Sequence, residues 1–223
     1  MSAFDLVRDE GQRADFTARV AHLYREAHRR QGPRAFEFTR RAAALHEAGH
    51  AVAFQATADG VRWWPPYRLR IWREPAAALA WLGETEVSPH APPLRVTPDD
   101  LEGTLITAIR TAAGVVSERL FDGEDFRLAS SADEQIMVGA MARNLEAHHW
   151  RLPAEQCLAL LMEITADLLR RHAGAVHAVA GVLAWSATVG LADILNQLTF
   201  RDGLTPWTGA PGGVYAGTED TVI

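Results

Sequence analysis

The chain has 223 residues, 48% hydrophobic and 22% charged, with a formal net charge of −6; this predicts one folded domain with modest extensions and argues against a nucleic-acid-binding surface. All 22 basic residues are arginine, a bias we read as coding preference. A single cysteine, Cys157, excludes an intramolecular disulfide and a zinc cage built from cysteines.

Residues 1–9 carry acids and lack the basic-then-apolar layout of a secretory signal, and no uninterrupted apolar stretch reaches membrane-spanning length. The expectation is a cytoplasmic chain without membrane insertion. Phe16, Val20, Leu23 and Tyr24 recur at helical spacing over residues 14–30, before Gly32 and Pro33 break the pattern. The arginines of this segment, including Arg13, Arg19, Arg25, Arg29 and Arg30, alternate with Asp15 and Glu26 and read as a solvated face. A second helix is predicted over 35–57, closed by Gly60. Residues 61–87 turn aromatic and β-branched, punctuated by Pro65, Pro66, Pro75 and Gly83, which predicts two or three short strands. Trp63, Trp64, Trp72 and Trp81 crowd this region and are expected in a core or a subunit contact.

A loop over 88–96 leads to Thr97-Pro98-Asp99-Asp100, where Thr97 can cap, Pro98 can take the first helical position and the acids suit the dipole. The helix that follows should reach Phe121. Ser130-Ser131-Ala132-Asp133-Glu134 opens another to about His149, Pro153 starts one to Arg171, and helical material continues over 173–198. From Arg201 the chain is rich in Gly, Pro and Thr, so a flexible tail is expected.

His46-Glu47-Ala48-Gly49-His50 is an H-E-x-x-H sequence inside an apolar helical pattern. Two histidines four apart project from one helix face and can share a metal ion, leaving room for a third ligand and a water. Zinc lowers the pKa of such a water to about 7, and Glu47, displaced round the helix, can take its proton. Ala48 and Gly49 lack bulk and let another element or a substrate approach. A later carboxylate must complete the site. The metzincin positions hold Ala53 and Ala56, which excludes that class. Glu118, in an E-x-x-x-D pattern with Asp122, is one candidate. Asp133 in a helix first turn is another, although Ser131 and Glu134 could form a capping box in which Asp133 merely complements the dipole. His148 and His149 suit a helix C-terminus better than a metal, and His90, His172 and His177 have no partner at useful spacing.

The run His46 to Ala51 resembles the usual form of the zinc motif in the protease domain of the FtsH family of membrane-anchored AAA+ zinc proteases. Ala113-Gly114-Val115-Val116-Ser117-Glu118-Arg119-Leu120 is similar to that family's Gly-x-Ala-Ala-Glu-Glu helix, and residues 129–144 to its Ala-Ser-Asn-Asp helix. The resemblance spans roughly residues 36–198. It implies a mainly α, zincin-like peptidase domain with a small β-hairpin or sheet element beside the active-site helix. It also implies His46 and His50 as zinc ligands, Glu47 as catalytic base, Asp133 as third ligand and Glu118 as a packing or outer residue. Counting back from Ala142-Arg143-Asn144 would put the ligand at Glu134 instead. The family's phosphate-binding loop is missing and, with no lysine in the chain, could not be built.

The expected organisation is a helical extension over 1–34, an FtsH-like zinc peptidase domain over 35–200 and the tail over 201–223. The expected activity is ATP-independent, zinc-dependent hydrolysis of exposed or unfolded peptide segments, with homo-oligomers possible. The alternative is a non-catalytic regulatory or interaction protein that keeps the fold and the metal.

Overall fold

The computed structural model describes residues 10–57, 66–74, 80–87, 97–123 and 126–202. The chain is mainly helical, with a small antiparallel sheet. Helix α1 covers Glu10–Gln31 and runs into a 3-10 turn, Gly32–Phe36. Helix α2 covers Arg40–Ala56, strand β1 Pro66–Arg73, strand β2 Trp81–Val87 and helix α3 Leu101–Phe121. Helices α4 (Ala132–His148), α5 (Ala154–Arg171) and α6 (Ala173–Ser186) follow, then strand β3 (Thr188–Gly190) and helix α7 (Leu191–Asp202).

Several boundaries differ from the sequence reading, each for a local reason. Pro33 favours the 3-10 turn, so α2 starts five residues later than expected, where the Thr39 hydroxyl accepts from the Ala42 N–H at 3.0 Å. Asp100, not Thr97, caps α3, its carboxylate accepting from the Gly103 N–H at 2.8 Å. The helical stretch expected over 173–198 is interrupted. Ala187 takes a left-handed conformation (φ 64°) after α6, and Thr188 to Gly190 form β3 before helix resumes. Trp63, Trp64, His90 and residues 203–223 lie outside the described residues.

The sheet has the order β2-β1-β3. Leu69 pairs with Thr85 and Val189, and Ile71 with Gly83. Leu69, Ile71 and Val189 turn inward and are buried. On the outer face Arg68 pairs with Glu86 and Arg70 with Glu84. The alternation is the period of two that a half-buried sheet requires.

Helix α2 packs against α3, α6, β1 and β2. Its residues from Ala42 to Ala53 are all buried, because alanine and glycine present little bulk in any direction. Gly49 is the closest point. A Cβ built there would lie 2.5 Å from the Ala113 carbonyl oxygen and 2.6 Å from the Ser117 Cβ, so α3 rests directly on the backbone of α2. Ser117 adds a buried bond to the Leu45 carbonyl at 2.7 Å, satisfying polar groups that would otherwise be costly to bury. Larger side chains, including Val52, Val115, Leu145, Leu161, Leu169 and Leu183, fill the core round this pair. Among the described residues no helix is long and apolar enough to cross a membrane.

Candidate metal centre

His46 and His50 lie one turn apart on α2 and face α3 and α4. Their Nε2 atoms are 3.0 Å from each other. Glu134, in the first turn of α4, reaches both: its Oε1 is 3.0 Å from His50 Nε2 and its Oε2 3.4 Å from His46 Nε2. These separations match the edge of a tetrahedron with bonds of about 2.0–2.1 Å, which is about 3.3 Å.

The hydrogen bonds on the far side of each ring fix its protonation. His46 Nδ1 is 2.7 Å from Glu118 Oε1, and His50 Nδ1 is 2.8 Å from the Arg110 carbonyl oxygen. Each partner is an acceptor, so each Nδ1 carries the proton, and a neutral ring then turns a bare lone pair at Nε2 toward its neighbour. Two imidazole lone pairs and a carboxylate therefore converge, with the Ser131 hydroxyl, 3.3 Å from His46 Nε2, the nearest potential donor among the described residues. Such a group is stable only around protons or a cation. Glu134 Oε2 is buried and has no hydrogen-bond partner among the described residues, which also fits an atom awaiting a ligand bond.

The electrostatics carry the same message for the ion-free group. Burial disfavours a charged His46 ring, but the carboxylates of Glu134 and Glu118 outweigh it and hold its pKa well above 6.5. His50 is likewise raised, with Glu134 overcoming burial. For Glu134, burial opposes ionisation, yet the two rings pull its pKa far below the ordinary carboxylate value. Protons on the rings thus stand in for the charge a metal would supply.

The second tier is equally built. Glu118 is buried, accepts from His46, and also accepts from the Ser130 hydroxyl. Gln135 Nε2 donates to the Ser130 carbonyl at 2.7 Å, tying that loop to α4. Gly114 makes room for both rings: a Cβ there would collide with His46 Nε2 and lie 2.6 Å from His50 Nε2. Glu47 reaches toward β2, where the Thr85 hydroxyl donates to its Oε2 at 2.5 Å and Gly83 lies over its Oε1. Burial raises the Glu47 pKa against the opposing pull of His46 and His50.

No family model and no curated protein matches this chain.

The structure brings His46, His50 and Glu134 into one potential metal-binding group. Asp133, put first by the resemblance, is not in it. It stands at the exposed surface of α4. The reason is helical phase. One residue along a helix is about 100° of rotation, so adjacent carboxylates at the start of α4 face different ways. Nor is there a capping box: Ser131 is left-handed (φ 46°), makes no side-chain cap, and sets its hydroxyl 3.3 Å from His46 Nε2. Glu118 lies beside His46 Nδ1, as an outer partner.

Thr85, Ser130 and the Arg110 carbonyl were not anticipated. Ser130 was visible as a polar residue before a helix. Nothing in sequence marks a main-chain carbonyl as a histidine partner, and Thr85 was hidden in a strand that favours threonine on ordinary grounds.

Proposed function

We propose that this chain is a zinc-dependent peptidase of the FtsH type, with His46, His50 and Glu134 as zinc ligands and Glu47 as general base. The observation that carries the reading is the convergence of two Nε2 lone pairs and a carboxylate, with the motif glutamate held beside them on the same helix. Two nitrogens and one oxygen form a donor set of the kind found in hydrolytic zinc sites.

Zinc held there would supply Lewis acidity and lower the pKa of an attacking water. Glu47 takes a proton from that water and returns it to the leaving amine. Burial raises its affinity for the proton, and Thr85 keeps one carboxylate oxygen fixed while the other serves as acceptor. Glu118 and the Arg110 carbonyl hold each imidazole at the correct tautomer.

The sheet suggests how an extended peptide would enter. Glu74 N–H donates to the Ala80 carbonyl at 2.9 Å, whereas Trp81 N–H donates away from β1, to the Phe38 carbonyl at 2.9 Å. By the same alternation the N–H and C=O of Gly83 and Thr85 point away from β1. Among the described residues they have no backbone partner. A peptide added to this edge would run past Glu47.

Replacing Glu47 with Gln tests the assignment. Digestion of an unfolded protein such as casein by zinc-loaded enzyme should fall by at least ~100-fold, the scale of lost acid–base catalysis, while zinc remains bound. Undiminished cleavage would reject Glu47 as the base. Zinc uptake by the wild type without any cleavage would favour the non-catalytic alternative.

A further inference from the structure

A concave site lies between α1, α3, α4 and α5. Its volume is about 510 Å³, within the range of roughly 300–1,000 Å³ common for small-molecule sites. The walls are aliphatic, with Leu23, Val115, Ile136, Leu158 and Met162 prominent. Around them stand Arg19, Arg119, Arg143 and His22, and no aspartate or glutamate lines the cavity.

The three guanidinium groups are differently engaged. Arg19 is paired with Asp15 at 2.8 Å. Arg119 lies over the Phe126 ring at 5.0 Å. No carboxylate pairs with Arg119 or Arg143 among the described residues. Fixed positive charge beside an apolar trough calls for a ligand with an acidic head and an aliphatic body. The planar fork of arginine suits a carboxylate head in particular. No Phe, Tyr or Trp lines the cavity, so nothing there would stack a nucleobase. Few neutral polar groups are present to hold a sugar.

We infer that this cavity binds a single-chain aliphatic carboxylate of the fatty-acid class, its chain between α1, α4 and α5 and its head against Arg119 and Arg143.

The site does not depend on peptidase activity, so it can be tested by binding alone. Titration calorimetry of the full, zinc-loaded chain with dodecanoate should give one site. Gly139 offers a selective block: a Cβ there meets only the Arg143 guanidinium, at 3.8 Å. Gly139→Leu should fill the cavity and weaken dodecanoate at least ~10-fold, with the melting temperature unchanged or raised, because leucine is the better helix former. Arg119→Gln combined with Arg143→Gln should weaken dodecanoate by about 10-fold while leaving dodecanol within about twofold.

Failure of the wild type to bind dodecanoate, binding untouched by Gly139→Leu, or equal affinity for acid and alcohol would each overturn the inference. A dimer that Gly139→Leu dissociates, with no dodecanoate taken up, would assign the cavity to a second copy of the chain and overturn it too. The paired arginine variant keeps the test decisive should Gly139→Leu fold poorly.

Discussion

Gly114→Ala is the sharpest perturbation of the centre, because it adds one methyl group where the two metal-facing nitrogens meet. That methyl would collide with His46 Nε2, and its 2.6 Å approach to His50 Nε2 lies 0.8 Å inside the 3.4 Å of ordinary contact. One ring at least must swing away. The fold itself should tolerate the change: overpacking costs about 1–3 kcal/mol, while Ala in place of Gly within a helix returns about 1 kcal/mol. The metal-free variant should therefore be destabilised by roughly 0–2 kcal/mol. Zinc binding should suffer far more. Removing even an outer partner of a ligand lowers affinity by about 10–100-fold, so displacing a ligand atom should cost more than ~100-fold. Competition against a chromophoric chelator measures the affinity, and thermal denaturation with and without chelator separates it from the fold. If the variant bound zinc as tightly as the wild type, the two Nε2 atoms could not be ligands.

Glu118→Gln removes the charge facing His46 Nδ1 and should lower zinc affinity by about 10–100-fold without abolishing folding, measured by the same competition. Gly83→Ala places a methyl group on the Glu47 carboxylate, 2.6 Å from its Cγ, so kcat on a peptide substrate should fall while zinc affinity changes little; equal losses in both would contradict the separate roles given to Glu47 and the ligands. The metal-free protein should have a characteristic pH profile. Raised histidine pKa values contribute stability that is present below the unfolded value of 6.5 and lost as pH rises through the folded values of His46 and His50. The depressed Glu134 pKa contributes stability present above 4.5 and lost as pH falls toward its folded value. Melting temperature with chelator should accordingly decline above pH 6.5, whereas zinc affinity should rise over the same interval because the rings must release protons to bind. A chelated protein that grew more stable with rising pH would contradict the converging lone pairs.

Most of the helical framework was legible because long periodic segments announce themselves. The H-E-x-x-H pair could be placed on a buried helix for the same reason. The failures fall where structure is decided by a few residues. Strand β3 is three residues long and exists because β1 offers it an edge, which no local pattern in a run of Ala, Thr, Val and Gly reveals. The α3 cap moved from Thr97 to Asp100 because both residues cap well, and the turn between them decides which one meets a free N–H.

The third carboxylate was undecidable from sequence for a deeper reason. Asp133 and Glu134 are adjacent, both acidic and both chemically able to bind zinc, and the Ser131-Ala132-Asp133 triplet that favoured Asp133 says nothing of which carboxylate faces the histidines. What separates them is the phase of α4, and that is set by the left-handed turn at Ser131 together with the Ser130 hydroxyl on Glu118 and the Gln135 amide on the Ser130 carbonyl. The extra methylene of glutamate then spans the gap to both imidazoles. A double substitution, Asp133→Glu with Glu134→Asp, tests this directly, since it conserves charge and composition while exchanging reach. Zinc affinity should fall because the shortened side chain stays on the correct face and no longer reaches both rings. Affinity unchanged by the exchange would mean that α4 rotates freely enough to offer either carboxylate, and the Ser130 and Gln135 contacts would then not determine the ligand.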